Sequence, residues 1–339
     1  MWTSPPPPST IGTPYKPHQD ARLEKQVSQA ATALGDGVQK IVLAAKQKTV
    51  EETQWKAELL QLLGNNPTDN TTRKGDMDIL LASSKCERFV LRCVEAELPP
   101  NLIHCLRLLR VLELQHAAKK AQEQQQEQGD AEETSEKEPI EAIGRRATNK
   151  VARLLGLLCK DAAVGEQLRP HLFGLLALSG ASYPRSGIHV AHAASDVITA
   201  LADGCLTRQL IWFIHERKMI LHMTDDIKEL TGMVAQSVNS QVATTTAAAH
   251  GLLGTDAEEV GLWLVAIKTV VHLVTSSVRF PTVDLVKDFD AAGGYAVLQY
   301  AIHHSTRQHG NQLIGLLPTL ACTPTEAGWA EEDLKLALN

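Results

Sequence analysis

The chain has 339 residues, of which 44% are hydrophobic and 4% aromatic, a composition typical of folded globular proteins rather than disordered ones. A net charge of -6 supplies no overall attraction to phosphate backbones, and five Phe and four Tyr are too few to stack single-stranded bases, so we expect no binding to nucleic acid. The length exceeds the ~250 to 300 residues at which one hydrophobic core usually stops growing, which favours two packed units or one elongated array.

Residues 1–19 form a proline-rich leader. Pro5 to Pro8 are consecutive, and Pro14 and Pro17 follow, which predicts an extended, disordered segment. The stretch from Pro14 to Pro17 fits the PxxP pattern of a ligand for an aromatic groove, but so short a match arises freely by chance. The leader has neither the charged nor the apolar region of a secretory signal, which predicts a cytoplasmic protein.

Apolar residues recur at steps of three and four from Asp20 onward, which is the pattern of amphipathic helices. One such stripe runs from Leu102 to Leu112, and another runs from Val260 to Val278 and is ended by Pro281. The other predicted helices cover residues 20–46, 51–63, 76–96, 142–160, 163–178, 189–203, 206–218, 224–250, 282–290, 294–304, 310–320 and 327–337. No run alternates with the period of two that strands require, so the sequence predicts an all-α fold.

An acidic, low-complexity insertion divides the predicted helices into two blocks. Residues 119–138 hold seven acidic residues and no large apolar side chain, so this segment cannot bury enough surface to offset its ordering entropy. We expect a disordered insertion at residues 119–141, between a first helical block at 20–118 and a second at 142–339. Helical continuation to about Gln128 is compatible with its helix-forming residues.

The two blocks are predicted to form one α-solenoid of stacked antiparallel helices, of the armadillo or HEAT type. Helices of 12 to 20 residues, many apolar on both sides, alternate with short breaks at residues 64–67, 180–187 and 251–254. Such an array escapes the size limit of a single core because each repeat contacts only its neighbours. No strict repeat period is visible, and a compact two-domain helical protein is the alternative.

The cysteines and the most apolar segment indicate the environment of the chain. Residues 260–278 carry Lys268 and His272 near their middle, which a membrane-spanning helix would hold only at a cost of a few kcal/mol, so no membrane insertion is expected. The six cysteines lie mostly in apolar stretches and are predicted to be buried thiols in a reducing compartment. They are Cys86, Cys93, Cys105, Cys159, Cys205 and Cys322.

The sequence contains no recognisable catalytic motif. Neither phosphate-binding glycine pattern occurs, no CxxC pair is present, and Pro184 stands where the nucleophile elbow of a serine hydrolase needs glycine. We therefore expect a non-enzymatic protein without a cofactor or metal. The alternative is an all-α metal-dependent hydrolase built on histidines that lie close in sequence. These are His189 and His192 in one group, and His303, His304 and His309 in another.

A basic helix face follows the acidic insertion. Arg146, Lys150 and Arg153 are spaced by four and three residues and so line one face of a helix. They are a candidate site for an anion or an acidic partner, which includes the insertion itself, and the alternative is a solvated surface. Ser135, three residues before Glu138, is a candidate phosphosite whose added charge would strengthen that docking.

Three stretches resemble a known family. They are Ala194 to Leu221 (ASDVITALADGCLTRQLIWFIHERKMIL), Leu98 to Leu109 (LPPNLIHCLRLL) and Asp288 to Leu298 (DFDAAGGYAVL). They occur in the same order in the amino-terminal helical region of the Alfy-type BEACH proteins, which carry WD repeats and a FYVE finger. The resemblance covers about residues 78 to 305.

The resemblance implies an armadillo-like scaffold that binds other proteins and acts in membrane traffic and selective autophagy. It also implies membrane association through a larger assembly. The chain lacks the paired CxxC ligands of a FYVE finger and is too short for a BEACH domain and a WD propeller, so the resemblance is to one region of such proteins. A transport-type armadillo adaptor is a further alternative: Trp212 and Trp263 could line its groove, but no ladder of Trp and Asn is present.

Overall fold

The described part of the chain is helical and contains no strand. The computed structural model describes residues 17–47, 52–63, 75–126, 140–179, 188–231, 233, 257–280 and 283–321. The prediction of an all-α protein is therefore confirmed for these residues.

Eight described helices precede residue 180, with one 3-10 turn at Arg169–His171. They are α1 (Pro17–Gln47), α2 (Glu52–Leu62), α3 (Asp76–Ala82), α4 (Phe89–Glu95), α5 (Leu98–Gln126), α6 (Ile140–Leu158), α7 (Ala162–Leu168) and α8 (Leu172–Ser179). The helices described after it are α9 (Ile188–Gly204), α10 (Arg208–Glu216), α11 (Met219–Leu230), α12 (Ala257–Ser277), α13 (Leu285–Ala291), α14 (Gly294–His304), α15 (Arg307–Ile314) and α16 (Leu317–Ala321).

Five long helices contact one another in chain order. Helix α1 packs on α5, α5 on α6, α6 on α9, and α9 on α12. Shorter helices flank this series: α2, α3 and α4 pack on α1, α8 packs on α9, and α11 and α13 pack on α12. The buried apolar side chains join into one continuous core that extends from Val27 to Leu320.

At four places in the described structure, a short capped helix follows a longer one. The side chains of Asp161 and Asp284 accept backbone N–H bonds at the first turns of α7 and α13, which follow α6 and α12. Thr207 and Thr306 do the same for α10 and α15, which follow α9 and α14. Asp and Thr are favoured there because their oxygen satisfies an N–H group that has no partner within the helix.

Helix boundaries differ from the prediction at the leader and at the insertion. Helix α1 begins at Pro17, inside the predicted leader, because proline needs no N–H partner in the first turn of a helix. Helix α5 continues through residues 119–126 of the predicted insertion, since Ala, Gln, Glu and Lys are good helix formers, and α6 begins at Ile140. Residues 1–16 and 127–139 lie outside the described residues.

Four predicted helices differ from those of the structure. The helix predicted at 76–96 is two helices, α3 and α4, separated by turns at 83–88 that start at the adjacent Ser83 and Ser84. That at 163–178 is broken at Pro170, which lacks the N–H donor of a continuous helix. That at 310–320 is interrupted at Gly315. Helix α11 begins at Met219 rather than at 224, and the predicted helix beyond residue 233 lies outside the described residues.

The described cysteines are free thiols, and most are buried as predicted. Cys93, Cys105, Cys159 and Cys205 are buried and Cys86 is partly exposed, while Cys322 lies outside the described residues. Burial raises the pKa of Cys93 and of Cys105 to about 12, because the apolar interior disfavours the thiolate. No described helix has both the length and the apolar character needed to span a bilayer.

Candidate functional site

The candidate site is an open hollow on the surface around α10, with a volume of about 430 Å³. Its lining residues come from the 3-10 turn after α7 and from α10, and they combine arginine with aromatic side chains. They are Arg169, Arg208, Gln209, Trp212 and Phe213, and we call this surface the α10 hollow.

Helix α10 exposes Trp212 because the apolar side chains around it occupy the other face of the helix. Leu210, Ile211 and Ile214 are fully buried in the core, whereas Trp212 is 55% exposed. Thr207 fixes the start of the helix, since its hydroxyl accepts the N–H of Leu210 at 3.1 Å. The orientation of Trp212 towards solvent is therefore set by core packing and by the helix cap.

Two of the nearby arginines are not balanced by an ion pair. Arg169 binds the carboxylate of Glu166 at 3.1 Å. In the described structure Arg208 is exposed and takes part in no salt bridge, and Arg217 lies over the ring of Phe213 at 5.6 Å. The α10 hollow is therefore bordered by excess positive charge beside an aromatic surface, a combination that suits a carboxylate and an apolar group together.

The three residues of the predicted basic face have different surroundings in the structure. Lys150 forms a salt bridge with Asp78 of α3 at 2.9 Å and donates to the backbone oxygen of Leu63 at 3.5 Å. Arg153 is exposed and lines a second hollow of about 400 Å³ with Lys150 and Asp78. Arg146 is exposed but does not line this hollow. An acidic-partner role for the three residues stays a prediction, and Ser135 lies outside the described residues.

The histidines of the hydrolase alternative do not gather around a common point. No group of three His, Cys, Asp or Glu side chains in the described ranges could hold a metal ion. His189 contributes its backbone N–H to Glu113 at 3.1 Å, and burial lowers the pKa of His192. His304 bonds the backbone oxygen of its own helix, and His309 contacts the hydroxyl that caps α15.

A histidine pair between α5 and the 3-10 turn predicts a loss of stability in mild acid. The rings of His104 and His171 meet edge to face at 5.3 Å. Burial lowers both pKa values, and Arg107 lowers them further. The folded pKa lies below the unfolded value of about 6.5, so the unfolded chain binds more protons and stability is lost as pH falls through that value. Each proton that the unfolded chain binds and the folded chain does not lowers the free energy of unfolding by at most about 1.4 kcal/mol per pH unit. The loss is smaller here because water reaches both rings.

The test measures the midpoint of urea unfolding at several pH values from neutral to mildly acidic. We expect the double substitution His104→Gln and His171→Gln to flatten the fall in stability, while the exposed control His303→Gln leaves it unchanged. A pH dependence identical in the double variant and the wild type would contradict this account.

The α10 hollow is lined by arginine, glutamine and aromatic side chains. Sequence reasoning identified Trp212 only as a possible groove residue and missed Arg169 and Arg208, although the spacing of four between Arg208 and Trp212 places both on one face of α10. Trp263, the other tryptophan of the adaptor alternative, is buried at 1% exposure.

No protein-family model, no curated protein and no solved structure matches this chain.

Proposed function

We propose that this chain is a non-enzymatic α-solenoid of the armadillo or HEAT type that binds other proteins through its helical surface. The observation that carries the proposal is the order of packing, in which each long helix contacts the next along the chain from α1 to α12. In a solenoid every repeat packs on its neighbours, and loops or short helices on one side are free to vary.

The recurrence of capped helices supports the same arrangement. Asp161, Thr207, Asp284 and Thr306 each start a short helix directly after a longer one, although the sequence repeats with no fixed period. A close contact between neighbouring units adds to this support: α7, which follows α6, packs so tightly on the residue after α9 that a Cβ built on Gly165 would lie 2.7 Å from the backbone oxygen of Cys205. Packing of each unit on the next is expected of a helical repeat.

A relationship to Alfy-type BEACH proteins belongs to the same proposal. The longest resembling stretch, residues 194–221, covers most of α9, the whole of α10 and the start of α11, and therefore includes Trp212. On this proposal the chain is a cytoplasmic scaffold in membrane traffic and selective autophagy, and it reaches membranes through a larger assembly. The surface that would serve this role is the α10 hollow.

The two alternatives lack a supporting observation among the described residues. A metal-dependent hydrolase needs three or four convergent ligands, and the histidine clusters do not supply them there. An adaptor with a tryptophan-lined groove needs exposed tryptophans, and Trp263 is inside the core. Protein binding is the function that the exposed side chains support best.

The proposal is tested by partner capture followed by reconstitution. The full chain and its Trp212→Ala variant are used to capture proteins from cells, and each candidate is then purified and titrated against both chains. We expect a partner that binds the purified wild type directly and binds the variant at least about tenfold more weakly, as loss of a buried aromatic anchor does. Substrate turnover traced to a particular side chain would contradict the proposal.

A further inference from the structure

We propose that the α10 hollow binds an acidic peptide segment that carries one large apolar side chain. This inference rests on the proposed function and names the class of partner. The apolar side chain would lie against Trp212 and Phe213, and flanking carboxylates would meet the arginines at the rim of the hollow.

The unpaired arginines at the α10 hollow favour an acidic partner. Arg208 takes part in no ion pair with the described residues, and Arg217 contacts an aromatic ring instead of a carboxylate. Glu166 engages Arg169 at 3.1 Å and the hydroxyl of Thr207 at 3.4 Å, so it neutralises the first arginine and leaves the others available. A guanidinium donates two parallel hydrogen bonds to a carboxylate, which makes unpaired arginines suitable binding sites for acidic side chains.

The charges along α10 also make the two ends of the hollow different. Arg208 stands in the first turn, Trp212 lies one turn later, and the exposed Glu216 lies one turn after that. The positive end of the helix dipole coincides with Arg208, which adds to the attraction for a carboxylate there. We therefore expect the strongest acidic requirement on the Arg208 side of the apolar anchor and a weaker one on the Glu216 side, where Glu216 offsets the charge of the neighbouring Arg217.

The exposed aromatic surface indicates why an apolar anchor is needed. Trp212 is 55% exposed in a helix whose other apolar residues lie in the core or partly against it. Covering such a ring removes apolar area from water, and the residues that dominate binding energy at interfaces are enriched in Trp, Tyr and Arg. Nucleic acid is disfavoured because the chain has a net charge of -6 and the hollow offers a single exposed tryptophan.

The test uses short fluorescein-labelled peptides and fluorescence anisotropy with the full chain. The first probe combines Asp and Glu with one central Leu or Trp, the second replaces the anchor with Ala, and the third replaces the acidic residues with Lys. A single-stranded oligonucleotide is the fourth probe. We expect saturable binding of the first probe only, weakened by added salt because exposed charges take part.

Substitutions in the chain test whether the first peptide binds at the α10 hollow. Trp212→Ala is expected to weaken binding at least about tenfold, whereas Trp212→Phe retains most of it. Arg208→Ala is expected to weaken it about fivefold and to reduce its dependence on salt. The controls are Arg307→Ala, an exposed arginine in the first turn of α15, and Leu43→Ala at another exposed apolar position, and both are expected to bind as the wild type does.

Each other outcome overturns the inference, and the outcomes separate it from the proposed function. Binding of the basic or alanine-anchored peptide that depends on Trp212 would refute the acidic, apolar partner but keep a protein-binding hollow. Preference for the oligonucleotide would refute both. No binding of any probe would refute the partner class, and the reconstitution with captured proteins would then decide the proposed function alone.

Discussion

Gly204→Ala is expected to destabilise the protein by about 2–3 kcal/mol, the range expected when an added methyl group overlaps atoms that cannot move aside. A Cβ at this position would lie 2.0 Å from the backbone oxygen of Cys159 and 3.1 Å from the Cα of Lys160. Both neighbours are backbone atoms at the end of α6, so they cannot turn aside as a flexible side chain would. The change would force α9 away from α6, and the two helices form one of the most extensive contacts in the structure.

A second glycine, Gly144, provides a matched control for this prediction. Gly144 in α6 has no atom within 4 Å of a built Cβ, so Gly144→Ala is expected to stabilise the protein by up to about 1 kcal/mol through helix propensity alone. Urea unfolding of the two variants tests whether they change the free energy of unfolding in opposite directions. A Gly204→Ala variant as stable as Gly144→Ala would show that α6 and α9 do not approach this closely.

Glu113→Ala is expected to cost about 2–4 kcal/mol of stability, because one carboxylate serves both the first turn of α9 and a buried arginine. Its oxygens accept the backbone N–H groups of His189 at 3.1 Å and Val190 at 3.4 Å, and so cap the first turn of α9 from α5. The guanidinium of Arg110, a residue only 4% exposed, lies 3.8 Å away. Loss of the carboxylate leaves two N–H groups without a partner and a buried positive charge with less compensation.

A conservative variant separates the two contributions. Glu113→Gln keeps an oxygen acceptor for the N–H groups but removes the charge, so we expect an intermediate loss of about 1–2 kcal/mol. Asp225→Ala is the control, since Asp225 is 54% exposed and its pair with Lys228 is worth about 0–1 kcal/mol. Equal stabilities of Glu113→Ala and Asp225→Ala in urea would contradict the capping account.

The sequence predicted those features that depend on one segment at a time. The stripes from Leu102 to Leu112 and from Val260 to Val278 identified α5 and α12, because residues three and four apart share a helix face whatever packs on it. The ends of helices were predicted less well. Pro170 divides α7 from α8, a break that the apolar pattern of residues 163–178 does not reveal, since the periodicity resumes after the 3-10 turn.

Features that depend on distant segments were not accessible from the sequence. The spacing of Arg146, Lys150 and Arg153 places them on one face of α6, yet Lys150 is occupied by Asp78 because α3 packs against α6. The α10 hollow likewise needs Arg169 from the turn after α7. Periodicity assigns residues to the face of their own helix, but which other helix covers that face is decided by tertiary packing.

Native-state hydrogen exchange of two core variants tests the proposed solenoid most directly. Leu298 in α14 and Leu34 in α1 are both fully buried, and replacing either by Ala costs about 2–5 kcal/mol locally. If each unit contacts only its neighbours, Leu298→Ala accelerates exchange in α11 and α13–α15 and leaves α1–α4 unchanged, while Leu34→Ala does the reverse. Uniform acceleration of exchange through all described helices in both variants would contradict the solenoid and indicate one cooperative domain.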